Sequence, residues 1–390
     1  MKKALTALTA ILLITALLAG CGSPAASNGS AGGDAETYKF AVLAPITGNY
    51  AEYGKGFEVA TQMAADEINE AGGINGVMIE LQVFDSQGEP TESADISRRV
   101  VEDDDILAVI GDFSSSNAMA NAPILGDGGL VQLSPTASHP DYAGMNEYMF
   151  SIMGRQDGEA PFFSTHLLQR FKQAEAVGVI YINNDWGESA HANLVSQAAI
   201  DGLNIVAEEN YVEGERDFNS LLTKVRSTNP DTLALIMHAN DVALIANQIA
   251  QMDWDVEITA LGPGTSMQII ELAGDNVEGL LLSTPFHITE ENEEAWAWAE
   301  EFRSRAGFEP TVHPAVAFDT VYLLKAAIEN IDGEVTRDAI RQQLQDLDGF
   351  VGLTGPIQFN ESGDITRLYL IMRIEDGRFV QETDFDYVNQ

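Results

Sequence analysis

The stretch from Ile106 to Ser138 contains two apolar runs joined by a helical segment, and it constrains the fold more than any other part of the chain. Residues 106–110 and 130–133 are predicted as buried strands, with a helix over 117–125 between them. Two strands connected in this way indicate a parallel βαβ unit, whose ligands bind beyond the carboxyl ends of the strands. Hydroxyl side chains follow both strands at that end, namely Ser115, Ser116, Thr136 and Ser138. They are either helix caps or the donors of a site for a small anion such as a carboxylate.

The amino-terminal segment has the composition of an export signal and is not expected to belong to the folded body. Two lysines precede an uncharged, mostly apolar run that is short for a membrane span. The run ends in Leu18-Ala19-Gly20-Cys21, which resembles a bacterial lipoprotein signal cleaved before its cysteine; the alternative is an ordinary export signal. We predict a lipoprotein signal peptide over residues 1–20 and a lipidated Cys21, which has no possible disulfide partner in the chain. Residues 21–37, rich in small and polar side chains, are predicted to be a flexible tether.

The chain carries an unusual excess of negative charge. It has 60 Asp and Glu against 20 Lys and Arg, a formal net charge of −40, and removal of the two signal lysines makes it −42. Nucleic acid is therefore excluded as a partner, because its phosphates would be repelled. Hydrophobic residues make up 45% of the chain, which excludes a disordered acidic tail. Since strong salt screens the repulsion between these negative charges, we expect that the protein comes from a salt-loving source.

After the tether, predicted strands, loops and amphipathic helices alternate along the body. Residues 155–284 repeat the β-loop-α order of residues 38–154, although no sequence period accompanies the repeat. Two doubly wound α/β lobes are the natural prediction. The tail differs, because residues 357–359, 367–374 and 379–385 are typical of hairpin strands.

The sequence lacks the motifs on which common hydrolytic and metal-dependent mechanisms rest. It has no HExxH, no paired-cysteine metal site and no GxSxG elbow, and its six histidines are not at ligand spacing. The Gly54-Lys55-Gly56 string has Val59 where a dinucleotide fingerprint requires a third glycine. We therefore predict a binding protein rather than an enzyme, with no cofactor and no metal.

Short segments spread over the whole body together resemble one family. They are the Tyr53-Gly54 loop, residues 66–76, Ile110-Gly111 with Ser114–Ser116, Pro135–Ser138, Asp185–Gly187, Leu261–Pro263 and Gly355-Pro356. In this set and order the chain resembles the solute-binding proteins of ABC importers, in particular the Leu/Ile/Val-binding, type I periplasmic binding protein family. The lipoprotein-like signal fits the resemblance, since such receptors are often tethered.

The resemblance implies two Rossmann-like lobes joined by a three-crossover hinge, which close on a ligand. The crossovers are expected near Gly154, Thr284 and Gln358. It also implies a small-molecule solute, an ABC permease as partner, and a place outside the cytoplasm, in the periplasm or on the outer face of the membrane. The implied lobes are residues 38–154 with 285–357, and residues 155–284 with 358–390.

The family's ligand residues are carried over position by position. The serine that binds the ligand carboxylate matches Ser115, and the backbone amide and hydroxyl of the next loop match Thr136 and Ser138. Uncharged donors suit a carboxylate because they avoid a deeply buried ion pair. The aromatic residues of the first-lobe and second-lobe loops match Tyr53 and Trp186.

The other end of the expected ligand is less well matched. His238 occupies a position where the family often has an aromatic residue, or it is simply a strand-end histidine. The family places an acid that binds the ligand ammonium just after its Gly-Pro pair, and this chain has Gly264 there. Either Asp241 or Asp185 substitutes, or the ligand lacks an α-amine. The resemblance thus implies a branched-chain or neutral amino acid as ligand; the alternatives are a carboxylate, amide or urea-type solute, or a sensor that signals to a membrane kinase.

Overall fold

The computed structural model describes residues 37–386, in which the chain forms two large sheets flanked by helices. The strands of the first sheet are Thr37–Ala44 (β1), Met78–Asp85 (β2), Ile106–Gly111 (β3), Val131–Ser134 (β4) and Met149–Ser151 (β5). They are all parallel and lie in the order β2-β1-β3-β4-β5. The order reverses between β1 and β3, which is where open α/β sheets bind ligands.

The second sheet repeats this order and adds an antiparallel edge. Its strands are Val177–Ile182 (β6), Ile205–Tyr211 (β7), Thr232–Ile236 (β8), Glu257–Ala260 (β9) and Leu281–Thr284 (β10), with Leu370–Glu375 (β13) and Arg378–Gln381 (β14) at the edge. The parallel part runs β7-β6-β8-β9-β10, and β13 pairs antiparallel with both β10 and β14. A separate hairpin is formed by Phe350–Gly352 (β11) and Gly355–Ile357 (β12).

The helices fill the connections between these strands. They are Ala51–Glu70 (α1), Pro90–Val101 (α2), Ser115–Asp127 (α3), Gln156–Phe162 (α4), Asp185–Asp201 (α5), Asn219–Arg226 (α6), Ala239–Gln251 (α7), Met267–Ala273 (α8), Glu293–Ala306 (α9), Val312–Glu329 (α10) and Arg337–Gln345 (α11). Helix α4 continues as a π-helical segment over Phe163–Lys172. Short 3-10 turns lie at Ala143–Met145, Gly262–Gly264 and Gly274–Val277.

Each large sheet is buried on both faces, which explains why its central strands are continuous apolar runs. One core joins the first sheet to α1, α9 and α10, and a smaller core lies on the opposite face with α2 and α3. Another core surrounds the second sheet. We call the first sheet with its packed helices the first lobe, and the second sheet with its helices the second lobe. The predicted doubly wound α/β fold is confirmed.

The chain crosses between the lobes more than once. It leaves the first sheet after β5, builds the second sheet through β10, and then places α9, α10, α11 and the β11–β12 hairpin against the first core. It returns to the second sheet with β13. Two helices, α8 and α11, were not anticipated from the sequence, and the strand expected at 357–359 lies at Gly355–Ile357. The predicted signal peptide, Cys21 and nearly all of the tether lie outside the described residues, within which no helix is long and apolar enough to span a membrane.

Candidate functional site

A cavity lies where the carboxyl ends of the strands of both sheets face each other. About 570 Å³ of space free of protein atoms lies there, part of it open to solvent, and both lobes contribute to the wall. The first lobe supplies the turn after β3 and the loop after β4, and the second supplies the turns after β6, β8 and β9. The lining is mostly apolar, with a few polar side chains.

The turn between β3 and α3 is fixed by hydrogen bonds to a buried carboxyl group. Asp112 accepts hydrogen bonds from the N–H of Phe113 at 2.6 Å, from Asn117 Nδ2 at 3.0 Å and from Ser93 Oγ at 2.7 Å. Ser114 then caps the helix by accepting from the N–H of Asn117. These bonds fix the direction in which the first residues of α3 enter the cavity wall.

Ser115 is positioned to donate a hydrogen bond into the cavity. Its Oγ accepts from the backbone N–H groups of Ser138 and His139, each at 3.3 Å. A serine hydroxyl has two acceptor lone pairs and one proton, so both acceptor positions are occupied and the proton remains. Ser115 lines the cavity, and that proton is available to a ligand acceptor.

Thr136 and Ser138 share the same wall but offer different groups. Thr136 Oγ1 donates to the carbonyl oxygen of Phe113 at 2.7 Å, so its hydroxyl presents lone pairs to the cavity. Ser138 Oγ lines the cavity and has no hydrogen-bond partner among residues 37–386. The structure thus brings together three of the four hydroxyl residues singled out from the sequence, and Ser115 and Ser138 have a proton to donate; Ser116 does not line the cavity.

Aromatic rings form the apolar part of the wall. Trp186 and Phe113 line the cavity, and Tyr53 lies behind Phe113, stacked on it at 4.3 Å with 15° between the ring planes. Tyr53 is outside the lining, but it links the lobes: its hydroxyl donates to the carbonyl oxygen of Pro263 at 2.8 Å and accepts from the N–H of Ala239 at 3.3 Å.

Two histidines in the wall are neutral. Burial lowers the pKa of His238 to about 3, and burial also lowers the pKa of His313 to about 3. His238 packs against Trp186 with 5.4 Å between ring centroids, and neither of its ring nitrogens has a partner among the described residues. Among residues 37–386, therefore, no cationic side chain lines the cavity to attract a carboxylate.

Glu159 is a lining residue that the sequence analysis missed. Its Oε1 accepts from the N–H of Gly262 at 3.0 Å and from Ser283 Oγ at 2.7 Å. Burial raises the pKa of Glu159, although these two hydrogen bonds act to lower it. The Glu159 carboxyl group can come this close to the backbone only because residue 262 is a glycine; a Cβ at that position would lie 2.7 Å from Oε1. Its local sequence did not indicate a site, because Gly158 and Pro161 obscure the helix on which Glu159 lies.

The acidic candidates named from the sequence lie elsewhere. Asp241 is in the first turn of α7, where its Oδ2 accepts from the hydroxyl of Tyr211 at 2.6 Å, and it lines a smaller neighbouring cavity. Asp185 is exposed at the start of α5. Gly264 follows the lining residues Gly262 and Pro263 and does not itself line the cavity. No cluster of histidine, cysteine and acidic side chains within residues 37–386 is arranged to hold a metal ion.

Two doubly wound lobes around such a cavity define the architecture of two-lobed binding proteins. The sequence profile of the periplasmic binding protein family matches residues 37–378, so the chain belongs to this family. The leucine-, isoleucine-, valine-, threonine-, and alanine-binding protein of Pseudomonas aeruginosa is 24% identical over 332 residues, which cover 85% of this chain and 88% of that protein.

Solved structures show the same fold. The branched-chain amino acid binding protein LivJ of Streptococcus pneumoniae, in complex with isoleucine, has a TM-score of 0.81 at 23% identity and covers 89% of this chain and 100% of its own. A solute-binding protein of R. palustris in complex with benzoate has a TM-score of 0.80 at 16% identity and covers 88% of this chain and 95% of its own. The family is made of substrate-binding proteins rather than enzymes, and membership implies an extracytoplasmic place and a permease partner.

Proposed function

We propose that this chain is the solute-binding component of an ABC importer and that it binds a neutral amino acid of the branched-chain type in the cavity between its lobes. The observation that carries the proposal is the pair of hydroxyl groups, Ser115 and Ser138, which have protons to donate and no protein acceptor for them. Hydrogen bonds to a charged group are worth about 1.5–3 kcal/mol each, enough to hold a carboxylate without a cation. The apolar wall around them would take an aliphatic side chain.

Closure of the lobes is the proposed mechanism. The lobes correspond to residues 38–154 with 285–357 and residues 155–284 with 358–390, and Tyr53 and Thr136 belong to the first. Contacts between the lobes support a closed state: Tyr53 bonds to Pro263 and Ala239, and Asn240 Nδ2 donates to the carbonyl oxygen of Asn49 at 3.2 Å. These bonds would break on opening, so a ligand that binds both walls would shift the population towards the closed form. A permease would recognise that form, and a lipid on Cys21 would keep the receptor at the membrane.

A second candidate function is a receptor for a carboxylate without an amine. It is favoured by Gly264, which stands where the family's amino-acid binders have their ammonium-binding acid. A thermal-shift screen in molar salt separates the two, with L-leucine, L-isoleucine and L-valine compared with isocaproate and leucinamide. A ligand at about 100 times its dissociation constant adds roughly 2.7 kcal/mol of stability.

The outcomes of the screen are distinct. Stabilisation by an amino acid and not by leucinamide supports the proposal, because leucinamide lacks only the carboxylate. Stronger stabilisation by isocaproate than by any amino acid supports the second candidate. If no carboxylate ligand raises the melting temperature, both candidates fail.

A further inference from the structure

An amino acid in this cavity brings a positive charge that must find a partner. A buried ammonium without an opposite charge is strongly disfavoured. The wall contains no other carboxylate than that of Glu159 within residues 37–386, and its two histidines are neutral. The acid expected at position 264 is a glycine, and Asp241 and Asp185 lie away from the lining.

Glu159 has one oxygen already bound and one available. Oε1 accepts from Gly262 and Ser283, which fixes the carboxyl group against the second lobe. No hydrogen bond from a described residue reaches Oε2. A carboxylate oxygen has room for further donors, and the ammonium of a ligand has three N–H groups to offer.

The position of Glu159 relative to Ser138 suits an α-amino acid. The N–H of Gln156 donates to the carbonyl oxygen of Ser138 at 2.9 Å, which ties the start of α4 to the hydroxyl wall. Glu159 is three residues further along the same helix face, about 4.5 Å along the axis. Since Ser115, Ser138 and Glu159 all line this cavity, an α-amino acid whose carboxylate binds the two serines can turn its amino group towards Glu159.

We propose that Glu159 binds the α-ammonium of the ligand, in place of the acid that the family has after its Gly-Pro pair, so that the solute is an α-amino acid. This inference rests on the proposed function and names the residue that distinguishes its two candidates. Helix α4 then connects the sites proposed for both charged ends of the ligand, because Gln156 N–H donates to the carbonyl oxygen of Ser138 and Glu159 lies on the next turn. If the role of Glu159 is purely structural, it only connects Gly262 to β10 by hydrogen bonds, and its charge has no effect on whether ligands with an amine bind.

Calorimetry with Glu159→Gln separates the binding role from the structural one. The amide keeps a carbonyl oxygen for Gly262 and Ser283 but loses the charge. Binding of L-leucine should weaken by about 30-fold or more, as for a buried charge pair that loses one partner. Binding of isocaproate, which is leucine without its amine, should stay the same or tighten. Glu188→Gln, an exposed glutamate on α5, is the matched charge control and should change neither.

A second variant keeps the inference testable if Glu159→Gln does not fold. Ser283→Ala removes one donor to Oε1 and does not line the cavity, so it acts on the ligand only through Glu159. This variant should bind leucine a few-fold more weakly and bind isocaproate with unchanged affinity. An equal loss for both ligands would overturn the inference, as would leucine binding that is lost in Asp241→Asn and kept in Glu159→Gln.

The inference and the proposed function fail in different ways. If the unaltered protein binds leucine, isoleucine or valine and Glu159→Gln binds it equally well, only the role of Glu159 is refuted. If the unaltered protein binds none of these amino acids, the proposed amino-acid ligand is refuted together with the inference.

Discussion

Substitution of Ser115 by alanine should weaken ligand binding while the protein remains folded. The change removes the one proton that the Ser115 hydroxyl has left for a ligand, because its lone pairs already accept from Ser138 and His139. Loss of a hydrogen bond to a carboxylate corresponds to about 1.5–3 kcal/mol, or roughly a 10- to 150-fold higher dissociation constant. The two backbone N–H groups also lose an acceptor, and we expect the unfolding free energy to fall by about 1–2 kcal/mol. A domain with about 5–15 kcal/mol of stability remains folded.

Titration calorimetry with L-leucine and leucinamide measures this prediction. If Ser115 binds the carboxylate, the variant loses affinity for leucine and not for leucinamide. The change in the protein and the change in the ligand then form a thermodynamic cycle, which gives the coupling energy between the Ser115 hydroxyl and the ligand carboxylate. Thr336→Ala is the matched control, because it removes the cap of α11, where Thr336 Oγ1 accepts from the N–H of Ala339 at 3.2 Å. It should lower stability by about 1 kcal/mol with no change in affinity. An unchanged dissociation constant for Ser115→Ala, or an equal loss for both ligands, would refute the reasoning.

Three further predictions concern the same cavity and its surroundings. Ser138→Ala should weaken the binding of leucine by a similar factor, as measured by calorimetry. The free energy of unfolding measured with denaturant should stay almost unchanged, because the Ser138 hydroxyl has no partner within the described residues. A large loss of stability would contradict this. Burial raises the pKa of Glu52 to about 8 from 4.5, and the nearby Glu271 carboxylate adds to the rise, so its contribution to stability is full below about pH 4.5 and is lost as the pH rises through about 8. Glu52→Gln should therefore make the free energy of unfolding, measured with urea, depend less on pH between these two values. An equal dependence on pH in the variant and the unaltered protein would refute the assignment. With 60 acidic against 20 basic residues, the melting temperature should rise between about 0.1 M and 1 M potassium chloride, as the Debye length falls from about 10 to 3 Å; an equal melting temperature in both would refute the salt requirement.

The fold was predictable from the sequence where burial alone determines the pattern. Strands such as Ile106–Gly111 are covered on both faces and form continuous apolar runs, and α10 is buried over most of its length. Helix α11 was missed because only Ile340 and Leu344 are buried within a polar segment, so its apolar periodicity is weak. Strand β11 was missed and β12 was predicted two residues too late, since the position of this hairpin depends on Asp319, which accepts from the N–H groups of Leu353 and Thr354 more than 30 residues further along the chain.

The candidate site was predictable only in its local part. Ser115, Thr136 and Ser138 follow neighbouring parallel strands, and the carboxyl ends of such strands meet at one edge of a sheet. Glu159 could not be found in this way, because its partners Gly262 and Ser283 are 103 and 124 residues away in the sequence. Its own segment contains Gly158 and Pro161, which obscured the start of the helix.

A crystal structure of the protein grown with saturating L-leucine shows directly whether the cavity between the lobes binds an amino acid as proposed. We expect leucine in the cavity between the lobes, with its carboxylate about 3 Å from the hydroxyl oxygens of Ser115 and Ser138. Its side chain should contact the wall that contains Trp186. Leucine bound elsewhere, or bound in the cavity with its carboxylate away from both serines, would contradict the account.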